Sequence, residues 1–181
     1  VEKTPAMKNK KNLSLAFIFK IKSPQIKLVQ SIFTFYSIFI SPIVYAQVIP
    51  DESLPIPTRV TNQDNAYNVD QGTVKGSNWF NSFNQFSIPS GSKVIFLNGA
   101  NIKNIINRVT GSSKSNINGD LIANWGANVF LINPNGIIFG PNARILIGGS
   151  FLASTASSIT FDDGFEYSAV TPQPNPLLTV N

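Results

Sequence analysis

The 181 residues predict an all-β chain and, within that class, a parallel β-helix (solenoid), on three observations. Apolar residues after residue 47 alternate with period two in short runs, no stretch there carries a helical period of useful length, and Gly and Asn break the runs at short, roughly regular intervals. Val94 and Phe96 alternate with Ile95 and Leu97, Val129 and Leu131 with Phe130 and Ile132, and Ile145 and Ile147 flank Leu146. The breaks at Gly119, Gly126, Gly136, Gly140 and Gly148-Gly149 lie closer together than the turns of a hairpin-built sandwich. Short strands between such corners suit coils that stack, because one coil cannot bury its apolar face alone. Nineteen Asn among the 135 residues after Ala46 supply a second tie, since Asn side chains at equivalent corners can hydrogen-bond along a ladder.

The first element is a leader. The formal charge of +5 suggests a nucleic-acid or anionic partner until the charges are placed. Residues 1–46 carry seven Lys against Glu2, a net of +6, and the remainder carries seven Lys/Arg against eight Asp/Glu, a net of −1. The basic character therefore belongs to the leader, and no nucleic-acid partner is expected. Met7 is the expected start, with Val1 to Ala6 upstream of it. Lys8, Lys10 and Lys11 lead into an apolar run from Leu13 to Phe19; Lys20, Lys22 and Lys27 precede a longer one from Leu28 to Tyr45. Val44-Tyr45-Ala46 suits a signal peptidase, which places cleavage between Ala46 and Gln47. A membrane anchor is the rival reading, because about 18 apolar residues can span a bilayer; Gln30, Ser31, Ser37, Ser41 and Pro42 weaken it.

From Gln47 the chain opens with Pro50, Pro55 and Pro57, which resist regular strand pairing. The aromatic cluster from Asn78 to Phe86, with Trp79, Phe80, Phe83 and Phe86, reads as a plug over the first coil, whose edge is otherwise open to aggregation. A surface that stacks sugars or bases is the rival, and clustered Phe favours a core. At the other end, Asp162-Asp163-Gly164 marks a turn, Pro172, Pro174 and Pro176 follow, and Leu177 to Val180 resembles a strand cut short. The expected organisation is a cleaved leader over 1–46, a β domain over 47–161, and a Pro-rich tail over 162–181 that begins further β-repeats.

Chemistry is thinly provided for. The chain has no Cys and no His, which removes thiolate chemistry, Cys/His metal sites, imidazole catalysis and disulfides. A β-helical polysaccharide-active enzyme needs clustered carboxylates or a basic residue with them, and between Asp70 and Asp162 the only acid is Asp120. Asp162 and Asp163 alone fall short of a six-to-eight-oxygen calcium site. No catalytic residue, cofactor or metal is expected.

Asn133-Pro134-Asn135-Gly136 has the residue preferences of a type I turn. In context it does more. The stretches Asn104 to Gly111, Asn128 to Gly140 and Gly148 to Thr155 resemble the N-terminal domain of filamentous-haemagglutinin-like two-partner secretion (TPS) proteins, whose signature is the Asn-Pro-Asn-Gly-Ile run; the likeness spans about Val48 to Phe161. The resemblance implies a right-handed parallel β-helix with an N-terminal cap at the front of a large adhesin, from a Gram-negative cell. It implies passage through the periplasm, recognition by the POTRA repeats of an outer-membrane TpsB-type β-barrel transporter, a role in seeding β-helix folding, and secretion or cell-surface display. It assigns the recognition role to Asn133, Pro134, Asn135, Gly136 and Ile137, and more weakly to Asn104, Arg108, Thr110 and Gly111. On residue type alone, Arg108 reads as a satisfied surface or corner residue. Host or cell-surface receptors would be met by downstream repeats.

Overall fold

The computed structural model describes residues 47–173. The expected leader, with Ala46, and residues 174–181 lie outside the described residues.

The chain runs through β1 (Val48–Pro50), β2 (Arg59–Gln63), β3 (Ala66–Gln71) and β4 (Thr73–Lys75) before its first coil. That coil holds β5 (Asn78–Phe86) and β6 (Lys93–Phe96). The second holds β7 (Asn104–Val109), β8 (Ser115–Ile117) and β9 (Asp120–Ala123), and the third β10 (Asn128–Ile132), β11 (Ile137–Phe139) and β12 (Arg144–Ile147). β13 (Phe151–Ser154) opens a fourth, and β14 (Ser158–Thr160) pairs with β15 (Glu166–Ser168) as an antiparallel hairpin. No helix occurs among the described residues.

Three parallel sheets result. Face A stacks β5, β7, β10 and β13; face B stacks β3, β6, β9 and β12; face C pairs β8 with β11 and is extended by a bridge from Ile88 to Ile117. This is the expected solenoid, of about four turns. Period-two alternation decides what each strand buries. Trp79, Ile105, Val129 and Phe151 are in register on face A and point into the lumen, where Val94, Phe96, Leu121 and Ala123 meet them from face B. Each fully buried side chain of this size contributes about 1.5–3 kcal/mol.

The Asn ladder is present at the corner leading into face A. Asn104 Nδ2 donates to Asn78 Oδ1 at 2.7 Å, Asn128 Nδ2 donates to Asn104 Oδ1 at 3.0 Å, and the Ser150 amide donates to Asn128 Oδ1 at 2.8 Å. Each rung satisfies the next, so the corner stays in register as coils are added.

The aromatic segment is not a plug. Asn78–Phe86 is the first rung of face A, pairing in parallel with β7, because its alternation sends Trp79 and Phe83 inward and Phe80 outward. The cap is built from reversed strands: β1 and β4 run antiparallel to β5, and β2 antiparallel to β3. Pro50 does join a strand, at a register shift in β1 that opens the short edge pairing.

Among the described residues nothing covers the opposite end of the coil stack. Phe139, Ile145, Leu146 and Leu152 are each more than a third exposed, while Ile137, Ile147 and Phe151 pack against the core with only partial cover. The closing hairpin lies elsewhere, folded back on the outside of face A. There Phe165 and Tyr167 join Leu54 over Phe80 and Ile106 in a second buried cluster.

Candidate functional site

The corner between face A and face C brings together the two stretches singled out in the sequence. Asn133 to Gly136 forms the expected turn: the Gly136 amide donates to the Asn133 carbonyl at 3.0 Å, and the Asn135 amide donates to Asn133 Oδ1 at 3.0 Å. Gly136 has φ +116°, a conformation side chains with a Cβ rarely adopt. One coil earlier, Thr110 and Gly111 turn the same corner, and Asn135 Nδ2 donates to the Gly111 carbonyl at 2.8 Å. Gly111 has no room for a side chain, since a Cβ there would lie 2.1 Å from the Asn84 carbonyl oxygen of the coil before.

The five signature residues have different surroundings. Asn133 is completely buried, and its Nδ2 donates to the Ser113 carbonyl at 3.0 Å and Ser115 Oγ at 2.9 Å. Its side chain stitches two coils together. Asn135 is exposed, and Pro134, Gly136 and Ile137 are partly so. Thr110, Gly111, Pro134 and Asn135 line a shallow cavity of about 280 Å³ whose far wall is Ala169 and Val170, from just beyond β15. Val170 is 59% exposed. Asn104 stands apart, in the ladder at the other end of its strand.

Arg108 is neither on the surface nor at a corner, contrary to the expectation from residue type. It is 2% exposed, because its outward-facing position on β7 is covered by the loop after β1 and by β15. Nε donates to Ser82 Oγ at 2.9 Å, Nη1 to the Ser168 carbonyl at 2.8 Å and Nη2 to Ser53 Oγ at 2.9 Å. The guanidinium also lies 4.3 Å from the centre of the Tyr167 ring, a cation–π contact strengthened by exclusion of water. Tyr167 in turn donates to the Asn81 carbonyl at 2.8 Å, and burial raises its hydroxyl pKa well above the ordinary value.

The counter-charge sits one step away. Asp51 accepts from Ser82 Oγ at 2.8 Å, from the Ser53 amide at 2.8 Å, and from the hydroxyls of Ser53 and Thr110. Burial by itself pushes the Asp51 carboxyl up, but these hydrogen bonds outweigh it and hold the group below its usual range. Serine hydroxyls thus relay between a buried cation and a half-buried anion, and Thr110 ties that relay to the corner. Asp51, Ser53, Ser82, Tyr167 and Ser168 were not identifiable from sequence, since the Arg108 bonds to Ser53 and Ser168 span 55 and 60 residues.

The corner offers hydrogen-bonding amides and a small apolar wall, with no group poised for bond-breaking chemistry. Among the described residues no group of three or more His, Cys, Asp or Glu could hold a metal ion. Asp120, the one acid of the central coils, is engaged by Arg144 on face B, with Nε donating at 2.7 Å.

The fold is that of a β-solenoid module. The family model for the TPS secretion domain matches residues 46–181, and the chain belongs to that family. It is accordingly the N-terminal domain of a two-partner-secreted exoprotein, from a family that is not one of enzymes and whose members have a TpsB transporter as partner. A search of curated proteins gives no match.

Proposed function

We propose that the stacked corner formed by Thr110-Gly111 and Pro134-Asn135-Gly136-Ile137 is the surface read by the POTRA domains of the outer-membrane transporter. The observation that carries this is convergence: two stretches 24 residues apart, both given a recognition role by the family resemblance, meet through the bond from Asn135 to Gly111 and share one accessible cavity. In this reading Asn133 shapes the corner from within, and Arg108 holds the wall formed by Ala169 and Val170 through its bond to Ser168.

The test separates shape from recognition. Val170→Asp alters an exposed side chain at the cavity and should cut export with the melting temperature within a few degrees of the parent, the ordinary range for surface substitutions (about 0.5 kcal/mol). Asn135→Asp, which also gives up the exposed bond to Gly111, should cut export at a stability loss of only about 1 kcal/mol. Asn133→Ala removes buried bonds and should lower export and melting temperature together. If export follows melting temperature across all three variants, the corner only turns the solenoid. The burial of Asn133 is the observation that favours that rival.

The uncovered last coil supports a second role in the same pathway, as the template on which following coils fold. Its strand edges and the apolar side chains of Phe139 and Ile145, in register with the buried Ile117 and Leu121, match what a further coil would bury. Downstream repeats would carry any adhesion. Removal of the leader between Ala46 and Gln47 fits this reading, since the family match begins at residue 46 and β1 at Val48; terminal sequencing of secreted protein checks it. An intact leader in the membrane fraction would favour an anchored protein.

A further inference from the structure

The lumen of the first two coils contains a feature that packing does not require. Asn81 and Asn107 lie on the same strand faces as Trp79 and Phe83, and as Ile105 and Val109, and are 0% and 1% exposed. They are direct register neighbours. Both Asn81 side-chain polar atoms and Asn107 Oδ1 have no hydrogen-bond partner among the described residues; only Asn107 Nδ2 is well placed, donating to the Phe130 carbonyl at 2.9 Å. Three residues earlier on the same strands, Asn78 and Asn104 bond each other at 2.7 Å. Asn can therefore bond between these two rungs, and the lumen pair leaves that capacity largely unused.

The third coil supplies an internal comparison. The residue in register with Asn107 is Leu131, 1% exposed and part of the apolar core. The lumen thus accepts a branched aliphatic side chain of similar size at this position. A buried amide without full partners burdens the folded state, whereas an apolar side chain of the same shape removes that burden. The cost falls on the two coils next to the cap.

We propose that Asn81 and Asn107 form a built-in brake on folding, which destabilises the capped coils so that the chain remains unfolded long enough to pass through its transporter. The inference rests on the export reading above and adds a second demand to it: the domain is recognised at its corner and is kept from closing by its lumen.

The test uses the full chain in cells whose TpsB-type transporter secretes the parent, with Asn81→Leu, Asn107→Leu, the double variant and the reciprocal Leu131→Asn. Each Leu substitution should raise the melting temperature of the secreted domain by roughly 3–10 °C and lower the equilibrium population of unfolded chain by a factor of about 5–30. Export should slow in the same order. Adding Val94→Ala, a lumen truncation on face B away from the corner, should lower stability and restore export of the double variant. Leu131→Asn should lower the melting temperature without slowing export, and it carries the test if the double variant fails to fold. A fall in melting temperature for the Leu variants overturns the proposal, as does a rise with export unchanged. Export that Val94→Ala does not rescue also overturns it, because the loss would then lie in recognition. The corner reading fails separately, through Asn135→Asp leaving export intact.

Discussion

The outer surfaces of faces A and B begin from the same pattern and end in different environments. On face A, Phe80, Ile106 and Phe130 stack in register; on face B, Ile95, Ile122 and Leu146 do. Each apolar row runs beside a polar one: Ser82 and Arg108 on A, and Lys93, Asp120 and Arg144 on B. Leu54 and the closing hairpin cover face A, which turns its apolar row into a second core and its arginine into a buried cation. Nothing among the described residues covers face B in this way: Ile95 and Ile122 are only partly buried, and the Arg144 side chain of the ion pair is 67% exposed. Alternation determines which side chains point outward. Whether outward means solvent is decided by segments far away in sequence.

The comparison breaks most readily at its aromatic centre. Phe80→Ala should cost about 3–5 kcal/mol, as for other buried Phe truncations, because Phe80 touches Phe161, Phe165 and Tyr167 with ring centres 5.1–6.4 Å away. Ile122→Ala on face B, only partly buried, should cost well under half as much. Urea denaturation of both variants measures the ratio. Equal losses would mean that face B is covered as well.

Arg108 is the next largest test. Arg108→Met keeps the length of the side chain but removes donors from Ser82, Ser53 and the Ser168 carbonyl, and removes the positive charge that shares Ser82 with Asp51. A loss of about 2–4 kcal/mol is expected, in the range for breaking a buried polar network at one partner. Arg108→Lys should recover less than half of that, since an ammonium cannot span three acceptors in the planar fork of a guanidinium. Early proteolysis near β14 and β15 would accompany the loss, because the Ser168 bond is one of the hairpin's ties to the coils.

Acid sharpens the same contrast. The folded-state pKa of Asp51 is depressed, so its stabilisation is fully present above the titration of the unfolded carboxyl, near about pH 4, and is lost as pH falls through the lower folded value. Stability measured by urea between pH 5 and pH 2.5 should therefore decline, and Asp51→Asn should be less stable at pH 5 with a shallower decline. An unchanged acid limb in that variant would place the sensitivity elsewhere.

Much of the solenoid was legible because its signals are local. The alternation at Val94 to Leu97 and Val129 to Ile132 and the turn at Asn133 to Gly136 all depend on neighbours within a few residues, and the ladder at Asn78, Asn104 and Asn128 repeats once per coil. What was not legible depends on closure over long separations. Asn133 looks like any turn Asn until Ser113 and Ser115, a coil away, enclose it. Arg108 looks like a surface cation until the loop after β1 and the hairpin close over it. The Asn78–Phe86 run was misplaced for a related reason: aromatic density suggested a lid, whereas the strand sends Trp79, Phe83 and Phe86 to one cluster and Phe80 to another.

The smallest expected effect is on face B. Arg144 makes a two-pronged contact with Asp120, and that hydrogen bonding is the main reason the Asp120 carboxyl lies below its usual range, with Arg144 and Lys93 adding attraction across the sheet. The geometry matches that of strong buried pairs, but the Arg144 side chain is 67% exposed. Water and salt screen such pairs, and ordering two long side chains offsets much of the attraction. Asp120→Asn should therefore leave the melting temperature within about 2 °C of the parent. Any difference at low ionic strength should shrink further in about 0.5 M NaCl, where the Debye length is only a few ångströms. The depressed pKa gives Asp120 the same sign as Asp51, so what it contributes is lost as pH falls, and the acid limb should barely change in this variant. A loss comparable to that of Arg108→Met, insensitive to salt, would show that face B is buried against something in solution, and the contrast between the two faces would fail.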